Sequence, residues 1–126
     1  MSDAFDAKTG TVIVRARVVG PVQVVDAVLA LDTGATTTLI SPHILIAAGY
    51  DSSTADEHVF ITSATGIVYV PKFGIDSLAA LGMTKPLRVL ATGLPPSAGG
   101  DGLLGLDFFR GHSLTLDFRK GIISLT

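Results

Sequence analysis

Cysteine is missing from the entire 126-residue chain. That removes disulfides, thiolate nucleophiles and Cys-based zinc sites in one step, and leaves the redox compartment undetermined. Charge is scarce too, with 16% Asp, Glu, Lys and Arg and a formal net charge of −2. The basic residues are scattered as Lys8, Arg15, Arg17, Lys72, Lys85, Arg88, Arg110, Arg119 and Lys120. They form no basic stretch, so nucleic acid is not an expected partner. His43, His58 and His112 lack the i, i+4 spacing that sets two ligands on one helix face, and neither a metal nor a cofactor is expected. No run approaches ~18 apolar residues, and Met1–Asp6 lacks the basic start and apolar core of a secretory signal. The expectation is a soluble chain with no membrane segment, either cytoplasmic or released from a longer anchored or periplasmic precursor.

What is abundant is apolar material, at 48% of residues and spread along the whole length. This supports a single core: residues 1–10 read as an N-terminal tail and 11–126 as one folded subunit. From Thr11 to Val19, Arg15 and Arg17 alternate with Val14, Ala16 and Val18, the period of a half-buried strand. Gly20-Pro21 breaks it. Val22 to Leu31 is almost continuously apolar and predicts a strand covered on both faces. Thr38-Leu39-Ile40 predicts a short strand, and Pro42 to Ala48 a short helix with Ser41 as N-cap and Gly49 at its end.

Val59-Phe60-Ile61 and Ile67-Val68-Tyr69-Val70 flank Ser63-Ala64-Thr65-Gly66, which predicts a hairpin with a small-residue tip. Further strands are expected at Ile75 to Ala80 and Leu87 to Ala91. An irregular loop from Gly93 to Gly102 follows, then one or two helical turns at Leu106 to Arg110 before Gly111. Leu114 to Phe118 and Ile122 to Leu125 read as a closing hairpin, whose last strand is apolar enough to pair between subunits. Short strands with few helices imply an all-β, closed barrel-like fold.

A carboxylate at the end of a buried strand is costly if left alone, and Leu29-Ala30-Leu31-Asp32 is such a placement. Thr33-Gly34-Ala35 follows it. Glycine permits close approach of another backbone, and the threonine hydroxyl both donates and accepts. Asp-x-Gly is also ordinary turn chemistry, so the tripeptide alone does not establish a site. The other acids have structural explanations: Asp101 precedes a Gly turn, Asp107 caps or braces a short helix, and Arg110 or Arg119 is a candidate partner for Asp117.

Three elements in order carry more weight than the tripeptide: Asp32-Thr33-Gly34-Ala35 after an apolar strand, a glycine-tipped hairpin in mid-chain, and Leu103-Leu104-Gly105 before a C-terminal helix. Together they resemble the retropepsin-like aspartic proteases, over roughly Thr11 to Leu125. Ser63-Ala64-Thr65-Gly66 and Gly102 to Phe109 give the resemblance a bacterial flavour. The segment Pro42 to Ala48 departs from it, being longer than the viral enzymes need there.

The resemblance implies a retropepsin fold with Asp32 as the catalytic carboxylate, supported by Thr33, Gly34 and Ala35. It makes the hairpin a flap that lays Ala64, Thr65 and Gly66 over an extended peptide substrate. Leu103, Leu104 and Gly105 would brace the loop and line the cleft, although ordinary core leucines explain Leu103 and Leu104 equally well. Only one Asp-Thr-Gly is present, so a two-carboxylate site requires a homodimer. Two rivals stay open: a catalytically silent dimerisation or peptide-binding module of the same fold, and a plain β-barrel adaptor.

Overall fold

Alternation along β2 (Ile13–Val19) decides which way the first long strand faces: Val14, Ala16 and Val18 are buried while Arg15 and Arg17 point to solvent. The computed structural model describes residues 2–8, 10–63, 66–94 and 100–126. In it, β2 pairs antiparallel with β3 (Val24–Leu31) and, on its other side, with β6 (Gly66–Ala80). β8 (Gly102–Leu104) runs parallel to β3 and antiparallel to β4 (Leu39–Ile40), β4 runs parallel to β7 (Met83–Ala91), and β7 returns antiparallel to β6. The order β2-β3-β8-β4-β7-β6 closes on itself as a six-stranded barrel, all-β in class as expected. Its core is built from side chains such as Val18, Leu29, Ile40, Leu78, Leu104 and Phe108, all buried.

Two expectations need correction. β3 is not covered on both faces, because Val24, Asp26 and Val28 lie exposed on the side opposite Ala27 and Leu29. The expected strand at Ile75 to Ala80 is the end of one 15-residue strand, β6, whose pairing with β7 shifts register between Ile75 and Leu78. That bulge lets a single strand serve both the barrel and the hairpin with β5 (Glu57–Ser63).

Helix α1 (Pro42–Ala48) buries Ile44, Leu45 and Ala48 against the barrel. Pro42 occupies its first turn, and Ser41 makes no side-chain cap bond. Gly49 ends the helix at φ 105°, with Gly49 N–H donating to Ile46 O and Tyr50 N–H to Leu45 O, the paired bonds of a Schellman stop. α2 (Leu106–Phe109) is a single turn that stops one residue earlier than expected, with Arg110 as its cap and Gly111 beyond at φ 84°.

The terminal segments form a second sheet in the order β1-β10-β9, from Ser2–Ala4, Ile122–Leu125 and Leu114–Asp117. The first ten residues therefore supply β1, and β10 is paired on both sides within its own chain. Asp117 makes neither expected ion pair; its Oδ1 accepts from Arg119 and Lys120 N–H and shapes the turn. No helix among the described residues is long and apolar enough to cross a membrane.

Tyr50 fastens α1 to the barrel. Its hydroxyl donates to Val19 O at 2.8 Å and accepts from Asp76 N–H at 2.6 Å. Burial pushes its pKa above the ordinary phenol value. A raised acid stabilises the fold fully below the unfolded value of ~10, and that contribution disappears as pH climbs through the folded value. Tyr50→Phe is expected to cost about 1–2 kcal/mol in urea unfolding at neutral pH, since Asp76 N–H and Val19 O both lose a partner. It should also flatten the alkaline loss of stability. An unchanged midpoint and alkaline limb would contradict this role.

Candidate active site

Asp32 follows directly on β3, and its backbone N–H donates to Leu104 O at 3.0 Å, carrying the β3–β8 ladder one residue further. The chain then reverses. Asp32 Oδ1 accepts Gly34 N–H at 2.9 Å and Asp32 O accepts Ala35 N–H at 3.2 Å, an Asx bond nested in a β-turn. A Cβ on Gly34 would sit 3.1 Å from Asp32 Oδ1, crowding the carboxylate. Ala35 O accepts Leu106 N–H at 2.8 Å, which fixes the far side of the loop to α2.

Behind the loop lies a polar knot that sequence reading reached only in part. The Thr38 hydroxyl donates to Asp107 Oδ1 at 2.6 Å and accepts Gly105 N–H at 3.1 Å. Thr38 N–H donates to Asp107 Oδ2 at 2.9 Å, and Asp107 Oδ1 also takes Phe108 N–H. Asp107 thus braces the helix as expected, but its main partner is Thr38, a wholly buried threonine beside Leu39 and Ile40. A polar residue opening an apolar strand was the signal for it. Gly105 belongs to the same knot, because a Cβ there would lie 2.8 Å from Ala35 O and 3.0 Å from Thr37 C.

Asp101 was read as a turn residue and does more. Its carboxylate accepts Val28 N–H at 2.8 Å, its backbone N–H donates to Val28 O and its carbonyl accepts Ser41 N–H. His43 Nε2 lies 3.6 Å from Asp101 Oδ1. These contacts anchor the entry to β8.

Asp32 and Thr33 open into a depression of about 510 Å³ whose apolar wall includes Leu31, Leu103, Leu116 and Phe118. The leucine pair divides: Leu103 lines this depression while Leu104 is fully buried in the core. Gly66 begins β6 at φ 131°, exposed, with nothing within 4 Å of an added Cβ. Ala64 and Thr65 lie outside the described residues. The hairpin has two faces, Val59, Ile61 and Val70 more covered, and Phe60, Ile67 and Tyr69 exposed. At its foot the Arg88 guanidinium bonds Asp56 and Glu57, and that bond holds the Asp56 carboxyl below its ordinary value. Among the described residues, no three His, Asp or Glu side chains gather as metal ligands.

The profile of the gag-polyprotein putative aspartyl proteases matches residues 18–111, which include the Asp32 loop, the hairpin and the Thr38–Asp107 knot. The chain belongs to this family. The retropepsin-like fold is also that of a solved structure, a retropepsin-like aspartic protease from Rickettsia conorii, with 18% identity over 99% of this chain and 88% of the other, at a TM-score of 0.71. No curated protein matches the chain.

Thr38→Val keeps the shape of the side chain but leaves Gly105 N–H buried without its acceptor and removes a donor to Asp107. It is expected to lower stability by about 1–3 kcal/mol in chemical denaturation. Asp32→Asn, whose amide oxygen can still accept Gly34 N–H, should cost much less. Equal losses would mean that the knot does not hold the loop.

Proposed function

We propose that the chain is one half of an aspartic endopeptidase, with two Asp32 carboxylates brought together by a homodimer. The observation that carries this reading is the placement of Asp32. Its backbone is tied to Leu104 and Ala35 is tied to Leu106, yet the side chain borders an open apolar depression. A buried structural carboxylate would face into the knot, as Asp107 does.

Two such groups across a twofold axis cannot both ionise easily at close range, so one holds a proton that the other lacks. The ionised Asp32 acts as general base on a water held between them. That water attacks the peptide carbonyl while the protonated Asp32 hydrogen-bonds its oxygen, and a proton then passes to the leaving nitrogen. Neither a covalent intermediate nor a cofactor takes part. Thr33, Gly34 and Ala35 hold the loop, Thr33 with its hydroxyl available to the other subunit. Leu103 lines the cleft, while Leu104 and Gly105 back it. The β5–β6 hairpin serves as the flap, with Ala64, Thr65 and Gly66 over an extended peptide whose main chain bonds as an added strand.

The rival reading, a silent peptide-binding module, is favoured by one observation: the Gly34 N–H bond to Asp32 Oδ1 is a turn that needs no chemistry. Asp32→Asn separates the two, because the turn survives and the shared proton does not. Cleavage of an unfolded protein across acidic to neutral pH is expected for the wild type and lost for Asp32→Asn, with dimer and fold retained. Activity near wild type in the variant would move the site elsewhere.

Co-refolding equal amounts of wild type and Asp32→Asn tests the sharing itself. Random twofold pairing gives roughly a quarter wild-type dimers and half hybrids. Activity per total protein should fall to about a quarter of wild type if both carboxylates are needed, and to about half if each subunit acts alone. A value near half, with hybrids confirmed by native mass spectrometry, would overturn the shared mechanism.

A further inference from the structure

We infer that one face of the β5–β6 hairpin, the one carrying Phe60, Ile67 and Tyr69, is a lipid-contacting surface that presses against the headgroup region of an uncharged phospholipid bilayer. This goes beyond the protease reading and does not depend on it.

Register fixes the face. Phe60 stands opposite Tyr69, Thr62 opposite Ile67 and His58 opposite Pro71, so these side chains share one side of the ribbon. Among the described residues nine large apolar side chains are exposed, and four of them, Phe60, Ile67, Val68 and Tyr69, belong to this one hairpin. Phe60, Ile67 and Tyr69 lie together on the face just defined, at 72%, 71% and 58% exposure. Single apolar residues scattered on a surface need no explanation, but a contiguous cluster marks a place that meets something. The flap role leaves it unexplained, since a substrate beneath the flap would meet the more covered face of Val59, Ile61 and Val70. The cluster is also ordered in advance: the Tyr69 ring lies 4.6 Å from Phe60 and 4.9 Å from His58, the latter stacked at 13°. Docking therefore immobilises few further rotamers.

Charge decides the occupant. From His58 to Pro71 the chain carries no Asp, Glu, Lys or Arg, and the charged groups stand together at the foot of the hairpin: Asp56, Glu57 and Lys72, with Arg88 bonded to the first two. Moving away from that foot, His58 comes first, then the Phe60–Tyr69 pair, then Ile67. This is the order of a lipid–water boundary, with ions in water, rings with a polar tip at headgroup depth and aliphatic groups nearest the acyl chains. A protein interface would instead surround its apolar centre with a polar rim. Arg88 is already engaged by Asp56 and Glu57, and Lys72 stands opposite Glu57, so no basic patch draws the hairpin to anionic lipid. Among the described strands β5 has β6 as its sole neighbour, and its outward backbone groups need water. The contact therefore stays at the boundary and does not enter the hydrocarbon.

The chain has no tryptophan, so Phe60→Trp supplies the one indole. On adding vesicles of phosphatidylcholine alone, its emission is expected to shift to the blue and to resist an aqueous quencher, equally when phosphatidylserine is mixed in and when salt is raised. Val24, 54% exposed on β3, gives the control Val24→Trp, which should not respond. Phe60→Ser combined with Ile67→Ser should weaken co-sedimentation with the same vesicles more than about tenfold, because these two side chains supply most of the apolar contact. Both are exposed, so native circular dichroism is expected; if the double variant does not fold, the two tryptophan variants decide alone. No shift for Phe60→Trp, an equal shift for Val24→Trp, or a response confined to anionic vesicles and abolished by salt overturns the inference. So does a Phe60→Trp shift on adding an unfolded polypeptide when vesicles give none, which would assign the face to protein. None of these readouts involves cleavage: an inactive chain that binds lipid keeps this inference and drops the protease reading, and an active chain that ignores vesicles does the reverse.

Discussion

Two glycines govern how near β8 can pass to its neighbours, and the Asp32 loop takes its shape from that separation. At Gly102 an added Cβ would collide with Leu39 O, and at Gly105 it would press on Ala35 O and the Thr37–Thr38 peptide. Only with both side chains absent can β8 thread between β3 and β4, parallel to one and antiparallel to the other. Leu104 O then sits where Asp32 N–H needs an acceptor, and Gly105 N–H reaches the Thr38 hydroxyl. The loop is thus an extension of the sheet, held by ladder bonds on one side and by a side-chain knot on the other.

That arrangement separates two carboxylates with different duties. Asp107 is enclosed by donors from Thr38 and Phe108, which offset the cost of drawing a carboxylate out of water. Asp32, the residue directly after the apolar β3, takes one local N–H and otherwise borders an open hollow. Low overall charge suits such a site, since few competing ions lie near it. Wall residues Leu31, Leu103 and Leu116 make the hollow beside Asp32 apolar.

Much of this was legible in the sequence because local rules agreed with the fold. Proline and glycine bracketed α1, alternation marked β2, and Asp32 stood at the end of an apolar run. The misreadings have physical causes. Val24 and Val28 are apolar yet exposed, so composition made β3 look covered on both faces. Pro71 and Gly74 interrupted the pattern of β6, whose continuity depends on pairing with three partners, β2, β5 and β7, rather than on its own residues. Thr38 and Asp101 act through partners far along the chain, at Asp107 and Val28, and no local pattern encodes such a meeting. The pairing of Ser2–Ala4 with β10 joins opposite ends of the chain and was equally hidden.

The insertion of β8 also orders events during synthesis. The bond from Gly105 to Thr38 closes a span of 67 residues, whereas β2–β3, β6–β7 and β9–β10 are each joined by short turns. Loop-closure entropy therefore favours the hairpins first and delays the crossing strand. Until Gly102–Leu104 has left the ribosome and found its slot, β3 and β4 face a gap, and Asp32 N–H and the Thr38 hydroxyl lack the partners that shape the loop. A chain made only as far as β7 can have most of its barrel strands in place and still lack the contacts that order the Asp32 loop.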